Sequence, residues 1–264
     1  MTAEVTYREV NRAGWRYLAE HGSDSSQPYL GDKLDHALEW LDPHDWLPWD
    51  RISSVLCLGS GGGQQGPMYA SLGCRTTVVD LCAEQLDLDR ASAAKAGLEI
   101  ECIEADIQDL GVLRGRQFDL VHQPVSTCYV PDVTAVYAQV RPLLADGGLY
   151  DVEHWNPVHT QLVGYGAWVD EAYVIEHPQV PGQPLAWHMS EASTEVSEVS
   201  CWHYVHRLED LVGGACRAGF RVVRVAERPD REPDQTPGSP GHLSAYAPSF
   251  LRLLCRADAP SVAQ

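Results

Sequence analysis

A buried strand that runs directly into a glycine loop constrains this sequence more than any other feature. Residues 53–59, SSVLCLG, form a continuous apolar run that ends in glycine, as is typical of a strand buried in a parallel sheet. The loop GSGGG occupies 59–63, and a helix is expected at 66–73 with Pro67 in its first turn. Glycine is needed where a backbone turns sharply or approaches a ligand closely. The arrangement predicts an α/β fold with a ligand site at the end of the first strand.

The alternation of strand and helix continues through the first 155 residues. Apolar runs predict further strands at 75–80, 100–106, 118–125 and 149–155, separated by helices at 83–97 and 131–145. Five strands alternating with helices indicate a doubly wound parallel sheet. After a segment without clear periodicity, the sequence predicts a helix at 207–220 and two last strands at 220–227 and 249–257.

The large rings lie in two segments that flank this regular part. All tryptophans fall within 1–50 or 151–206, and six of the eleven histidines fall within 154–206. We expect 1–50 to be a helical cap and 51–264 to be the main domain, with a cap insertion at about 156–206. The rings either pack helices onto the sheet or form a lid over its carboxyl edge, where open α/β sheets bind ligands.

Charge and cysteine usage exclude several kinds of partner. The chain carries 19 basic and 37 acidic residues, a formal net charge of −18, which disfavours nucleic-acid binding. No window approaches the ~20 apolar residues of a membrane span. The eight cysteines show no CxxC spacing, so no zinc site is expected. The polar N-terminus lacks the apolar core of a signal peptide, which predicts a reducing, cytoplasmic location.

The residues after the first two strands point to an adenosine-containing cofactor. Asp80 ends the second strand, where an acid accepts hydrogen bonds from the ribose hydroxyls of an adenosine; the alternative is a helix N-cap. Gly61, Gly63 and Gly66 satisfy the dinucleotide fingerprint GxGxxG, whereas Gly59, Gly61 and Gly63 give GxGxG. A nicotinamide dinucleotide therefore stays open at this point.

Several passages together resemble the class I S-adenosylmethionine-dependent methyltransferases. GxGxG resembles the first motif of that family, and EAD, ending at Asp106, resembles its third strand end. FDLV at 118–121, LLADGGLYDVEHW at 143–155 and the pair RAGFRVVRV…FLRLLCRA resemble its fourth strand, its fifth strand and its closing hairpin. The resemblance covers roughly 50–155 and 207–257. It implies a Rossmann-like, doubly wound, seven-stranded sheet with an antiparallel last strand.

The same resemblance implies S-adenosyl-L-methionine as the cofactor and assigns residues to it. Asp106 is expected near the adenine amino group. Cys57 stands where many family members carry an acid, and the amides of Gln64 and Gln65 are expected to meet the methionine carboxylate. The implied cofactor residues are Gly59, Ser60, Gly61, Gly63, Gln64, Asp80, Leu81, Asp106, Ile107 and Gln123.

Histidines are the expected catalytic groups. Methyl transfer needs acceptor, methyl and sulfur held in line, and a hydroxyl or amine acceptor must also lose a proton, for which histidine is suited near neutral pH. His154 is the first candidate because it lies at the end of the fifth strand. His122 and His206 are the alternates. Tyr129, Trp155 and His203 are expected to line the acceptor pocket, although each of these rings has a structural interpretation as well.

The sequence therefore predicts methyl transfer from S-adenosylmethionine to a small-molecule acceptor, with oxygen slightly favoured over nitrogen or carbon. A nicotinamide-dependent oxidoreductase is one alternative. A non-catalytic or repurposed S-adenosylmethionine-binding protein is the other, because fold alone does not fix function. No metal, membrane or nucleic-acid partner is expected.

Overall fold

The computed structural model describes residues 5–188, 200–228 and 234–258. Within these ranges the chain forms eleven strands and nine α-helices. The strands are β1 Ser54–Leu58, β2 Arg75–Asp80, β3 Glu101–Glu104, β4 Phe118–Gln123, β5 Leu144–Trp155, β6 Trp168–Val169, β7 Ala172–Tyr173, β8 Pro184–His188, β9 Ser200–Tyr204, β10 Phe220–Arg228 and β11 Phe250–Ala257. The helices are α1 Tyr7–His21, α2 Asp32–Asp35, α3 Ala37–Leu41, α4 Gln65–Ser71, α5 Ala83–Lys95, α6 Val133–Val140, α7 Pro157–Thr160, α8 Gly214–Arg217 and α9 Pro240–Ser244.

Seven of the strands form the central sheet, in the spatial order β10-β11-β5-β4-β1-β2-β3. Strands β1 to β5 pair in parallel, whereas β11 is inserted antiparallel between β5 and β10. The prediction of a doubly wound, Rossmann-like, seven-stranded sheet with an antiparallel last strand is therefore confirmed.

Two apolar cores, one on each face, hold the sheet. Side chains of α3, α4 and α5 pack on one face of β1 and β4, and α6 and α8 pack on the other. Every residue of β1 is buried, which explains its unbroken apolar sequence. Each face of the sheet thus has its own helical layer, as the alternating sequence predicted.

Several predicted elements differ from the structure in length or type. The helix expected at 207–220 is a π-helical turn, Glu209–Gly213, followed by the short α8. The helix expected at 131–145 ends at Val140, because a 3₁₀ turn with Pro142 follows. Within the expected helical cap at 1–50, the helical stretch around 32–41 is divided into α2 and α3 at His36.

The segment without clear periodicity contains two small antiparallel hairpins, β6–β7 and β8–β9. Strand β9 packs against α1, the N-terminal helix, which begins at a capping box between Thr6 and Glu9. Part of the expected cap insertion, 189–199, lies outside the described residues. No helix in the described ranges has both the length and the apolar character needed to cross a bilayer.

Candidate active site

The loop after β1 adopts a conformation that requires glycine. Gly59, Gly61, Gly62 and Gly63 have φ angles of +53°, +62°, +48° and +85°. A Cβ atom added at Gly59 would lie 2.9 Å from Ser126, and one at Gly63 would lie 3.0 Å from the carbonyl oxygen of Leu88. The glycine loop is therefore closely packed against Ser126 and Leu88, and a side chain at Gly59 or Gly63 would not fit.

Asp89 of α5 supports this loop from below. The Gly63 N–H donates to Asp89 Oδ1 at 3.0 Å. Asp89 is completely buried, and burial raises its pKa to about 8. On the cavity side, the buried Ser60 hydroxyl has no hydrogen-bond partner among the described residues, so it is available to a ligand.

A cavity of about 470 Å³ opens above the loop, at the carboxyl ends of the parallel strands. It is lined by eight of the ten expected cofactor residues and by two of the three expected pocket residues. These are Gly59, Ser60, Gly61, Gln64, Asp80, Leu81, Asp106, Ile107, Tyr129 and Trp155.

Gly63 and Gln123 are absent from the lining of this cavity. Gly63 instead anchors the loop to Asp89. Gln123 is completely buried, donates to Ser126 Oγ at 2.9 Å and accepts from the Tyr150 hydroxyl. The expectation that Gln123 contacts the cofactor is corrected: it supports Ser126, which does line the cavity.

Asp80 is held in place at the cavity wall by backbone donors. Its Oδ1 accepts from the Cys82 N–H at 2.9 Å, and Cys82, not Asp80, is the N-cap residue of α5. Burial raises the pKa of Asp80 to about 6, against the opposing effect of the backbone N–H groups of Cys82, Gly61 and Leu81. The carboxylate is thus fixed in orientation and ionised at neutral pH.

The N-terminal helix α1 forms one wall of the cavity. Tyr7, Asn11 and Trp15 line it, and the Tyr7 hydroxyl and Arg8 Nε both donate to Asp106 Oδ2. Burial and the neighbouring Asp106 raise the pKa of Tyr7. Sequence reasoning missed these residues, although their spacing of four places them on one face of a helix.

Strand β9 of the cap insertion lies behind α1, and none of the described residues of the insertion lines the cavity. The Trp202 N–H donates to Asn11 Oδ1 at 2.7 Å, and Asn11 Nδ2 donates to the Tyr129 carbonyl at 2.8 Å. His203 is buried against the Tyr129 ring, with centroids 4.7 Å apart, and also does not line the cavity. The expectation that His203 contacts the acceptor is therefore corrected.

The structure also corrects the expectation that His154 reaches the acceptor. His154 is only 1% exposed, and it lies on the opposite face of β5, under α6. Its Nδ1 accepts from the Thr127 hydroxyl at 2.7 Å, and its Nε2 donates to the Tyr137 hydroxyl at 3.2 Å. Burial, aided by His206, lowers the pKa of His154 to about 3. Both ring nitrogens are engaged in hydrogen bonds, so His154 connects β5 to Thr127 and to Tyr137 of α6 inside the core.

His206 shares this location. Its Nε2 lies 2.9 Å from the Thr127 carbonyl oxygen, and burial lowers its pKa. Together with His154 it borders a space of only about 10 Å³, separate from the main cavity. A small-molecule acceptor does not fit there, and the expectation for His206 is corrected as well.

His122 is the candidate histidine that borders a usable space. A side chamber of about 320 Å³ adjoins the main cavity, and His122 lines it with Asp151, Glu153 and Arg252. The two spaces share Tyr29, Gln65, Pro124, Glu153 and Phe250 in their walls. The side chamber therefore continues directly from the cofactor-sized cavity.

A buried ion pair orients His122. Arg252 Nε and Nη2 donate to the Asp151 carboxylate at 2.8 and 2.7 Å, and His122 Nδ1 lies 3.1 Å from Asp151 Oδ2. Burial opposes ionisation of Asp151, but His122 and Arg252 outweigh it and lower its pKa to about 2. Because a carboxylate only accepts hydrogen bonds, Nδ1 carries the proton and Nε2 is the basic nitrogen.

Comparison with known proteins identifies the family. Residues 56–150 match the model of a methyltransferase domain. The uncharacterized methyltransferase YbaJ of Bacillus subtilis is 33% identical over 191 residues, which cover 70% of this chain and 72% of that protein. The chain belongs to the class I S-adenosylmethionine-dependent methyltransferases. Its cofactor is therefore S-adenosyl-L-methionine, and a nicotinamide dinucleotide is set aside.

Two further comparisons extend this result. The enzyme is 31% identical over 111 residues to a ubiquinone biosynthesis O-methyltransferase of Nitrosococcus oceani, covering 42% of this chain and 46% of that protein. An S-adenosylmethionine-dependent methyltransferase structure from Mesorhizobium loti superposes with a TM-score of 0.59 at 21% identity, covering 84% of this chain and 99% of that one. At 21% identity, the likeness to the Mesorhizobium loti structure shows a shared fold.

Proposed function

We propose that this methyltransferase methylates a hydroxyl group of a small molecule, with His122 as the general base. The observation that carries the proposal is the junction of two spaces: a cavity at the glycine loop, and a side chamber that contains a carboxylate-oriented histidine. The walls of both spaces are partly aromatic, as in small-molecule sites, and neither resembles an open groove for a polymer.

The residues of the main cavity fit the cofactor. We assign Asp80 to accept from the ribose hydroxyls, and Asp106 and Ile107 to border the adenine ring; the support is that all three line this cavity. The glycine loop and the Ser60 hydroxyl form the cradle for the methionine end. Gln64 also lines this part of the cavity, with its amide nitrogen donating to the carbonyls of Ser25 and Gln27. S-adenosylmethionine, when bound, supplies an electrophilic methyl group on a sulfonium. The chain then has to position the acceptor and take up its proton.

His122 provides the place for that proton. In the neutral ring with its proton on Nδ1, Nε2 is the nitrogen that accepts a proton, and Asp151 holds the ring and stabilises the imidazolium that forms when the acceptor hydroxyl is deprotonated. An oxygen acceptor needs such a base more than a neutral amine does. The likeness to an O-methyltransferase over part of the chain agrees with this choice.

Formation of S-adenosylhomocysteine tests the proposed reaction. The purified enzyme with S-adenosylmethionine and a panel of hydroxylated aromatic and aliphatic compounds is expected to release S-adenosylhomocysteine together with an O-methylated product. Tight cofactor binding without turnover on any hydroxyl, amine or carbon acceptor would favour the alternative of a repurposed S-adenosylmethionine-binding protein.

Replacing Asp80 by alanine should weaken cofactor binding about tenfold or more, because a charge-assisted hydrogen bond contributes roughly 1.5–3 kcal/mol. Calorimetric titration with S-adenosylhomocysteine measures the change in Kd. Asp87→Ala is the matched control, because Asp87 lies on the outer face of α5 with its side chain 73% exposed. Equal affinities for the two variants would contradict the assignment of Asp80.

The affinity for the cofactor should also depend on pH through Asp80. Since its pKa is about 6 in the free protein, the carboxylate is ionised above that pH and protonated below it. The affinity for S-adenosylhomocysteine is therefore expected to be constant from pH 7 to 8 and to decline as the pH falls from 6 to 5. In Asp80→Asn this decline should be absent in the same titrations.

We expect the segments 1–50 and 156–206 to be protected together when the cofactor binds. Helix α1 lines the cavity, and β9 is hydrogen-bonded to it through Asn11. Hydrogen exchange measured with saturating S-adenosylhomocysteine should slow in α1 and in β9. Unchanged exchange in both elements would indicate that they only pack on the sheet.

A further inference from the structure

The side chamber has the features of an acceptor site with its own selectivity. It shares part of its wall with the main cavity, and it contains the proposed base, His122. Its volume of about 320 Å³ is at the lower end of the range of small-molecule sites, roughly 300–1,000 Å³. An acceptor seated there would have its reacting group beside His122 and facing the cofactor cavity.

Aromatic rings form the outer part of the chamber. The rings of Tyr29 and Trp40 lie 5.8 Å apart between centroids, and Phe250 lines the opposite side next to Trp155, at 5.0 Å. Trp40 is 38% exposed, which places it at the rim. Flat, apolar walls of this kind favour a planar ring over a flexible polar chain.

The charges around the chamber are unfavourable for an anion. Its lining contains two carboxylates, Asp151 and Glu153, and one cation, Arg252. Arg252 donates two hydrogen bonds to Asp151, and it lies opposite Glu153 in the register of β11 and β5. Burial opposes its charge, but Asp151, and to a smaller extent Glu153, raise the pKa of Arg252. The guanidinium in the lining is thus already engaged by Asp151.

Lys33 is a second cation beside the aromatic rings of the chamber, but it is not part of the lining. Its ammonium is 3.9 Å from the centroid of the Tyr29 ring and 5.1 Å from that of Trp40. This cation–π position holds the charge on the aromatic rim. A carboxylate or phosphate inside the chamber would therefore face Glu153 without a dedicated partner, which is costly in a partly desolvated site.

We propose that the side chamber binds the acceptor, that this acceptor is an electrically neutral, planar ring bearing the hydroxyl group, and that Glu153 excludes anionic analogues. The proposal rests on the proposed methyl transfer for the role of His122. It assigns the choice of substrate to Glu153, which lines both spaces, and to Trp40, which lines only the side chamber.

Two probes test this selectivity, 4-methylcatechol and 3,4-dihydroxybenzoate, which share the catechol ring and carry a methyl group or a carboxylate at the same position. Both are titrated into the enzyme saturated with S-adenosylhomocysteine, and both are assayed for methylation with S-adenosylmethionine. The neutral probe is expected to bind at least about tenfold more tightly than the anion. In Glu153→Gln the difference should shrink, mainly because the anion binds better.

Three further variants complete the experiment. Trp40→Leu should weaken both probes several-fold, and Tyr246→Leu, at an aromatic side chain that is 67% exposed and outside both spaces, should weaken neither. Lys33→Met should leave the preference unchanged. Tighter binding of the anion, a preference unaffected by Glu153→Gln, or loss of anion binding in Lys33→Met would each overturn the proposal.

The two readouts separate this inference from the proposed function. If the probe Kd values change in Glu153→Gln and Trp40→Leu but no methylated product forms, the chamber is a ligand site and the proposed methyl transfer is contradicted. If methylation occurs and the probe Kd values are the same in both variants as in the parent enzyme, the methyl transfer is supported and the assignment of the chamber as the acceptor site is contradicted. If neither probe binds, the assignment of the chamber as the acceptor site is contradicted.

Discussion

Replacing His122 by alanine should lower kcat by about 10²–10⁴-fold, because general base catalysis contributes to the rate on that scale. The cofactor Kd should stay near that of the parent enzyme, since His122 lines the side chamber and not the main cavity. Steady-state assays of S-adenosylhomocysteine release and calorimetry on the same preparation measure both quantities.

A matched control and a positioning variant sharpen this result. His36→Ala changes an exposed histidine that contacts only Asp32 and Glu39 among the ion pairs of the described residues, and it should leave kcat unchanged. Asp151→Asn keeps the shape of the site but removes the carboxylate that orients the His122 ring, so it should lower kcat and leave the cofactor Kd unchanged. Near-normal turnover in His122→Ala would mean that the acceptor reacts without a protein base.

The cofactor half of the site was readable from the sequence because it lies on strand ends. The glycine loop, Asp80 and Asp106 each follow a strand of the regular alternation, and the carboxyl ends of parallel strands meet at one edge. A position after such a strand is fixed by the fold, whatever the rest of the chain does. These residues accordingly line one cavity.

The acceptor half was not readable in the same way, because it depends on which face of a strand a side chain occupies. In β5, Asp151, Glu153 and Trp155 face the two spaces, whereas His154 faces α6. Successive side chains of a strand point to opposite faces, so a shift of one residue separates a pocket residue from a core residue. Proximity to the strand end favoured His154, and the alternation was the signal that spoke against it.

Long-range pairings are the other part that the sequence did not predict. Arg252 comes from β11, a hundred residues after Asp151, and reaches it only because β11 is inserted beside β5. The contact of Tyr7 with Asp106 likewise requires α1 to lie across the sheet edge. No local periodicity encodes such contacts, since they arise from the packing of elements that are distant in the chain.

Replacing Arg252 by methionine should destabilise the protein by about 3–5 kcal/mol, because it leaves the buried Asp151 carboxylate without its main partner. Both side chains are almost completely buried, at 6% and 1% exposure, so solvent does not screen the loss. The Leu41 carbonyl also loses the hydrogen bond from Arg252 Nη2. Urea denaturation followed by circular dichroism measures the change in the free energy of unfolding.

The same strand offers the control. Arg256 pairs with Asp258 at 2.7 Å, but both side chains are more than 40% exposed, so Arg256→Met should cost no more than about 1 kcal/mol. The double variant Asp151→Asn/Arg252→Met should recover much of the stability lost in the single one, because no unpaired charge is then buried. If Arg252→Met is as stable as Arg256→Met, the view that Arg252 and Asp151 form a buried, coupled ion pair is contradicted.

The pH dependence of stability should carry the signature of the same pair. The pKa of Asp151 is about 2 in the folded protein and about 4 in an unfolded chain, so ionised Asp151 favours folding. Its contribution is fully present above about pH 4 and is lost as the pH falls towards 2. Denaturation series at pH 6, 4 and 3 should therefore show a steeper loss in the parent enzyme than in the double variant. Parallel curves would place the acid sensitivity in other carboxylates, and would remove Arg252 and Asp151 from the groups that hold His122 in position.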